Sequence, residues 1–146
     1  MHTVYMMGFD VWAEGDSETR YLDVCRNAPK YKKGQWFVLE NDEGKLVSSL
    51  ICYRNVFGLA EGCVGIGSVA TSPDQRKKGY AAILLKDIIT RLRETTSHIF
   101  LYSDIAPAFY KKLGFQILND DLQKHKPSLC MVYGADLSNL NVPSYF

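Results

Sequence analysis

A short basic run, Arg76-Lys77-Lys78-Gly79, follows an apolar stretch ending in Val69-Ala70-Thr71 and leads into a helical pattern that opens with Tyr80-Ala81. The chemistry suited to such a run is anion binding. The first N–H groups of a helix have no intrahelical partners and carry the positive end of its dipole, so a phosphate or diphosphate settles there. Gly79 has no Cβ, which lets the backbone take a positive φ and come close to a ligand. Arg76, Lys77 and Lys78 bring side-chain charge to the same place. Taken alone, Arg-Lys-Lys-Gly is better read as a solvated turn that caps a helix, and its surroundings must decide.

Other residue types offer less. His98 and His125 are isolated and suit a strand edge and a surface loop. Cys25, Cys52, Cys63 and Cys130 show no short paired spacing and no neighbouring histidine, so a metal site is not expected and buried free thiols are. A covalent acyl-cysteine route would need a nearby base, and none is identifiable. Trp12 and Trp36 suit packing. Tyr53 and Phe57 suit either the lining of a substrate cleft or ordinary packing.

The elements that position these residues follow from periodicity. Residues 10–33 are polar with scattered apolar positions and fit one amphipathic helix capped by Asp16 or Ser17. Residues 35–40 and 45–53 read as strands of a hairpin joined by Asn41-Asp42-Glu43-Gly44. Residues 63–70, apolar with Gly65 and Gly67, read as a buried strand interrupted by a bulge. In residues 80–94, Ala81, Leu84, Leu85, Ile88 and Leu92 recur at helical spacing with charge on the other face. A strand over residues 98–102 comes next, followed by a short helix that Asp104 can cap, Pro107 can open and Gly114 can end. Strand, helix, strand predicts a parallel pair with a right-handed crossover. Residues 115–118 and 128–133 supply two last, antiparallel strands, and residues 139–146 read as a tail.

With 146 residues, 47% hydrophobic and 23% charged, the chain fits a single globular domain over its whole length. A net charge of +1 gives no global field for nucleic acid or an anionic membrane, so any anion site is local. No apolar run approaches a membrane span of about 20 residues, and no signal-peptide pattern opens the chain, so a cytoplasmic location is expected.

Arg76-x-x-Gly79-x-Ala81, taken with Ala106-x-x-Phe109-Tyr110-Lys111-Lys112-Leu113-Gly114-Phe115, resembles the GNAT superfamily of acetyl-CoA-dependent N-acyltransferases. The first motif is similar to the family's acyl-CoA pyrophosphate turn and the second to its Tyr-x-x-x-Gly-Phe segment. The resemblance spans residues 35–115. Residues 9–12, 65–69 and 101–105 are also similar to fungal lysine N6-acetyltransferases.

The resemblance implies a mixed α/β fold, a twisted central sheet of about six to seven strands flanked by about four helices. The family's first strand would be short or missing, with only about residues 2–6 to supply it. It also implies acetyl transfer from acetyl-CoA to a primary amine by direct attack in a ternary complex, without a metal. The amine would belong to lysine, a polyamine-like metabolite, an aminoglycoside or a protein. Val69, Ala70 and Thr71 would contact the pantetheine arm through main-chain groups, and Arg76, Lys77, Lys78, Gly79, Tyr80 and Ala81 would hold the diphosphate. Tyr110 would protonate the departing thiolate. Ser103 stands where the family often has Asn, which makes a side-chain contact to the arm weaker or replaces it.

A lysine-type amine must also lose a proton, at a cost of about 4.6 kcal/mol at pH 7. Residues 63–70 contain no carboxylate, which leaves Glu61, Glu40 or water as the base. The missing carboxylate and Ser103 admit an alternative, a catalytically silent acyl-CoA-binding module, against which Tyr110 speaks. Acceptor identity and the choice between monomer and homodimer stay open at this level.

Overall fold

In the computed structural model, which describes residues 1–146, the chain begins as helix. Helix α1 spans His2–Met6, so the segment that offered a short first strand is not a strand. Val4 and Met7, one helical turn apart, are both buried, and that spacing suits a helix rather than an alternating strand. Helix α2 spans Phe9–Trp12, and the left-handed Glu14 and Gly15 (φ 51° and 90°) follow it. Helix α3, Glu18–Asn27, starts at Ser17, whose Oγ accepts from the Arg20 N–H at 3.3 Å. A 3-10 turn at Pro29–Lys32 follows the extended Ala28, as expected before proline. The amphipathic helix expected within residues 10–33 is α3, capped at Ser17 as one of the two expected caps, with Tyr21, Leu22 and Cys25 buried; α2 and the 3-10 turn on either side of it were not expected.

Strands β1 (Gly34–Glu40) and β2 (Leu46–Tyr53) form the predicted hairpin. Asn41 Oδ1 accepts from the N–H groups of Glu43 and Lys45 at 3.1 and 3.0 Å and fixes the turn. Strand β3 is Cys63–Thr71, helix α4 Tyr80–Leu92 and strand β4 His98–Ser103. Helix α5 covers Ala108–Lys111, strand β5 Gln116–Ile117 and strand β6 Leu129–Tyr133. The strands make one mixed sheet in the order β1-β2-β3-β4-β6-β5.

The residues cluster in two units, Met1–Ile51 with Ser68–Leu85, and Cys52–Gly67 with Lys86–Phe146. In the first, Ala13, Tyr21 and Cys25 form a core against which Tyr5, Met6, Phe9 and Tyr31 pack. Trp36 joins it through Tyr5 and Tyr31.

In the second unit, β3 and β4 pair in parallel from Cys63 opposite His98 to Ile66 opposite Leu101. Strand β4 continues to Ser103 on its other side, antiparallel to β6. The pairing of β3 with β4 therefore ends before either strand does. Just past that point Ser68 takes a left-handed φ of 48°, so the expected irregularity of β3 falls on Ser68 rather than on Gly65 or Gly67. Gly65 serves another purpose: a Cβ there would lie 2.6 Å from the ring of Phe146. The tail is accordingly seated, with Phe146 buried.

Candidate functional site

The first unit carries the basic turn. Val69, Ala70 and Thr71 form the half-buried end of β3. Ser48 Oγ donates to the Ala70 carbonyl at 2.9 Å and lies 3.1 Å from Thr71 Oγ1. A 3-10 turn at Pro73–Gln75 follows, tied down by Lys45, whose ammonium meets Asp74 at 2.5 Å.

Lys77 and Gly79 then take left-handed φ values of 63° and 83°. Left-handed residues alternating with right-handed ones are the backbone pattern of an anion nest. A Cβ at Gly79 would meet nothing within 4 Å, so conformation rather than space calls for glycine here. The Ile83 N–H donates to the Gly79 carbonyl at 3.0 Å, so α4 begins at the turn. The N–H groups of Tyr80 and Ala81 belong to its first turn.

The three cations of the turn have different positions. Arg76 is committed elsewhere in its unit. Its Nη1 and Nη2 donate to the two Asp10 carboxylate oxygens at 2.6 and 2.7 Å, Nη2 also to the Met7 carbonyl at 3.1 Å, and Nε to the Thr71 carbonyl at 3.1 Å. This bond holds the Asp10 carboxyl below the usual carboxylate range. Lys77 and Lys78 are exposed, with the Lys78 ammonium 3.1 Å from Gln75 Oε1. The side-chain charge presented by the turn is therefore that of the two lysines. No local signal marks Asp10 as the partner of Arg76, because 66 positions separate them.

The second unit holds Tyr110 on α5. The residue is buried, with Phe109 and Phe115 edge-on at 5.0 and 6.2 Å. Burial, and then the negative charge of Asp104, push its phenol up to about 12, so it keeps its proton at neutral pH. Helix α5 is capped by Pro107 without a side-chain bond, which corrects the expected cap at Asp104. That carboxylate instead accepts from Ser128 Oγ and, at 3.2 Å, from the Tyr145 hydroxyl. Gly114, with φ 99°, ends the helix segment as expected. Ser103 is buried, and its hydroxyl donates to the Ile105 carbonyl at 2.8 Å.

The candidate bases lie at strand ends. Glu61 is exposed just ahead of β3, at the end where pairing with β4 begins. Glu40 is exposed at the end of β1. His98 Nε2 is bonded to the Asp136 carbonyl, and His125 stands edge-on to Tyr102 at 5.5 Å. All four cysteines are free and buried. Burial raises the Cys52 thiol to about 12 and that of Cys130 to about 11, which makes both poor nucleophiles.

A basic turn that opens a helix and a Tyr-x-x-x-Gly-Phe segment lie on a mixed α/β sheet. The model of the acetyltransferase (GNAT) family matches residues 3–115, and the chain belongs to that family. No curated protein matches the sequence. Among solved structures, the chain is similar to a protein from Pyrococcus horikoshii, with a TM-score of 0.70 and 24% identity over 93% of this chain and 88% of that one. It is similar to a PaiA N-acetyltransferase from Thermoplasma acidophilum in complex with coenzyme A, with a TM-score of 0.67, 13% identity and coverage of 92% and 90%. A GNAT family acetyltransferase from Brucella melitensis in complex with acetyl-CoA gives 0.65, 19% identity and coverage of 99% and 86%. At these identities the likeness is one of fold.

Proposed function

We propose that the chain transfers an acetyl group from acetyl-CoA to a primary amine by direct attack in a ternary complex. The observation that carries this is the pair of left-handed residues Lys77 and Gly79 at the start of α4. An exposed nest with a dipole behind it and two lysines beside it suits a diphosphate. The residues present fit the donor: N–H groups from Arg76 to Ala81 would hold its diphosphate, with charge from Lys77 and Lys78.

The main chain of Val69, Ala70 and Thr71 would bind the pantetheine arm as an added strand. That β3 continues beyond its last β4 partner at Ile66 supports this role. An N–H of Val69 or Ala70 would polarise the thioester carbonyl. The Ser103 hydroxyl already donates to Ile105, so its contact with the arm would be as an acceptor.

Tyr110 is the proposed general acid toward the departing thiolate. Against a thiol of ordinary pKa, about 8.5, transfer from a phenol at about 12 is uphill by roughly 5 kcal/mol. Burial raises a thiol too, as Cys52 and Cys130 show at about 12 and 11. A thiolate leaving into equally apolar surroundings is therefore matched to Tyr110. The N–C bond forms and the C–S bond breaks, the sulfur takes the Tyr110 proton, the amine gives its proton to Glu61, Glu40 or water, and the Tyr110 phenolate recovers a proton from solvent.

Thiol release from acetyl-CoA across a panel of primary amines tests the proposal. Amine-dependent release is expected. Tight acetyl-CoA binding with no amine-dependent release would show a silent acyl-CoA-binding module instead.

A further inference from the structure

Residues 143–146 have no regular structure, yet side-chain and main-chain hydrogen bonds hold them to the second unit. The N–H and Oγ of Ser144 both donate to the Phe57 carbonyl, at 2.8 and 3.1 Å. The Tyr102 hydroxyl donates to the Pro143 carbonyl at 2.5 Å, and the Tyr145 hydroxyl donates to Asp104 at 3.2 Å.

These bonds deliver the ring of Phe146 into a hollow on β3. Its floor is Gly65, where any side chain would collide with that ring. Its walls are Tyr53, Phe57 and Tyr102, whose ring centroids lie 5.5, 5.9 and 5.5 Å from that of Phe146. Phe57 holds its place with a left-handed φ of 54°, beside Asn55 at 56°. For a bulky residue that conformation is strained, and such outliers gather at ligand sites.

Beside the hollow is a carboxylate. Asp104 is exposed, one residue past the end of β4, and its charge is felt by both Tyr145 and Tyr110. An aromatic box with a carboxylate at its rim is complementary to a flat ring bearing a cation. The ring buries its faces, and the ammonium gains a charged acceptor and neighbouring π-faces.

We infer that this hollow is the acceptor pocket, that it takes a primary amine carried on an aromatic ring, and that residues 143–146 occupy it until such an acceptor displaces them. The ring of the acceptor takes the place of Phe146, and its ammonium takes the place of the Tyr145 hydroxyl on Asp104. Ring-for-ring exchange is nearly neutral, whereas Asp104 exchanges a hydroxyl donor for an ammonium, which adds opposite charge to the bond. This inference rests on the acetyl-transfer proposal for the identity of the site, and its binding chemistry is separately measurable.

The experiment titrates 2-phenylethylamine and n-butylamine into the whole chain by calorimetry, beside thiol release from acetyl-CoA. Phenylethylamine is expected to bind more tightly than butylamine. Phe146→Ala, which empties the hollow, is expected to tighten phenylethylamine at least tenfold and leave butylamine unchanged. In the Phe146→Ala background, Asp104→Asn is expected to weaken phenylethylamine at least tenfold. Should Phe146→Ala fail to fold, Tyr145→Phe frees one Asp104 oxygen, the other keeping its bond from Ser128, without emptying the core and is expected to tighten phenylethylamine severalfold. Equal affinity for the two amines, or phenylethylamine affinity unmoved by releasing the segment, overturns the inference. Ring-selective binding without thiol release would sink acetyl transfer and leave the pocket. Release driven by butylamine but not by phenylethylamine would do the reverse.

Discussion

The guanidinium of Arg76 grips the carboxylate of Asp10 through two bonds of 2.6 and 2.7 Å, so the first cation of the basic turn is a structural clamp. It ties the turn to α2 and, through the Met7 and Thr71 carbonyls, to the backbone on both sides. The pair is partly exposed, with side-chain accessibilities of 36% and 45%, so solvent screens it. Arg76→Ala is expected to cost about 1–2 kcal/mol, most of it from the lost hydrogen bonds, and Lys77→Ala far less. Urea midpoints measure both, and equal stability of the two variants would contradict the clamp.

Gly79 lies in open space but at φ 83°. Gly79→Ala should fold with a loss of about 1 kcal/mol, because the strain is in the backbone and not in a clash. Acetyl-CoA affinity should fall with it as the nest opens. A thermal melt and a calorimetric titration check the two halves, and an alanine variant of unchanged affinity would remove the nest from ligand binding.

Tyr110→Phe should lower kcat about a hundredfold at saturating acetyl-CoA, the usual size of a general-acid contribution, with little change in KM. With the phenol at about 12, the rate should rise with pH as the amine deprotonates and show no falling limb through pH 10. An unchanged kcat would leave Tyr110 a packing residue.

Cys52, Cys130 and Tyr110 have native pKa values of about 12, 11 and 12 against ordinary values of 9.0, 9.0 and 10.0. The unfolded chain therefore loses these protons first. Stability is expected to hold below about pH 9 and to fall as pH rises from there toward 12. Urea midpoints between pH 8 and 11 measure it; a flat profile would mean that these groups ionise freely in the native state.

The turn was legible in the sequence because its signal is local: an apolar strand, three cations, one glycine and a helical period lie within a dozen residues. The hairpin, β3 and α4 were legible for the same reason. What distance in sequence hides was not. Asp10 has nothing around it to mark it as the partner of Arg76, and Asp104, read as a helix cap, instead faces Ser128 and Tyr145 from elsewhere in the chain.

Residues 139–146 lack any periodicity and read as a tail. Phe146 packs over Gly65, 81 positions earlier, where a Cβ would collide with its ring. The helix at His2–Met6 was missed because a segment of five residues carries too little pattern to separate it from a strand.

Titration of acetyl-CoA into the wild-type chain and the Lys77→Ala/Lys78→Ala double variant is the most direct test of donor binding at the turn. Saturable binding at one site is expected, weakened at least tenfold in the double variant while its melting temperature stays within a degree or two. No binding, or equal affinity in the two proteins, would contradict it.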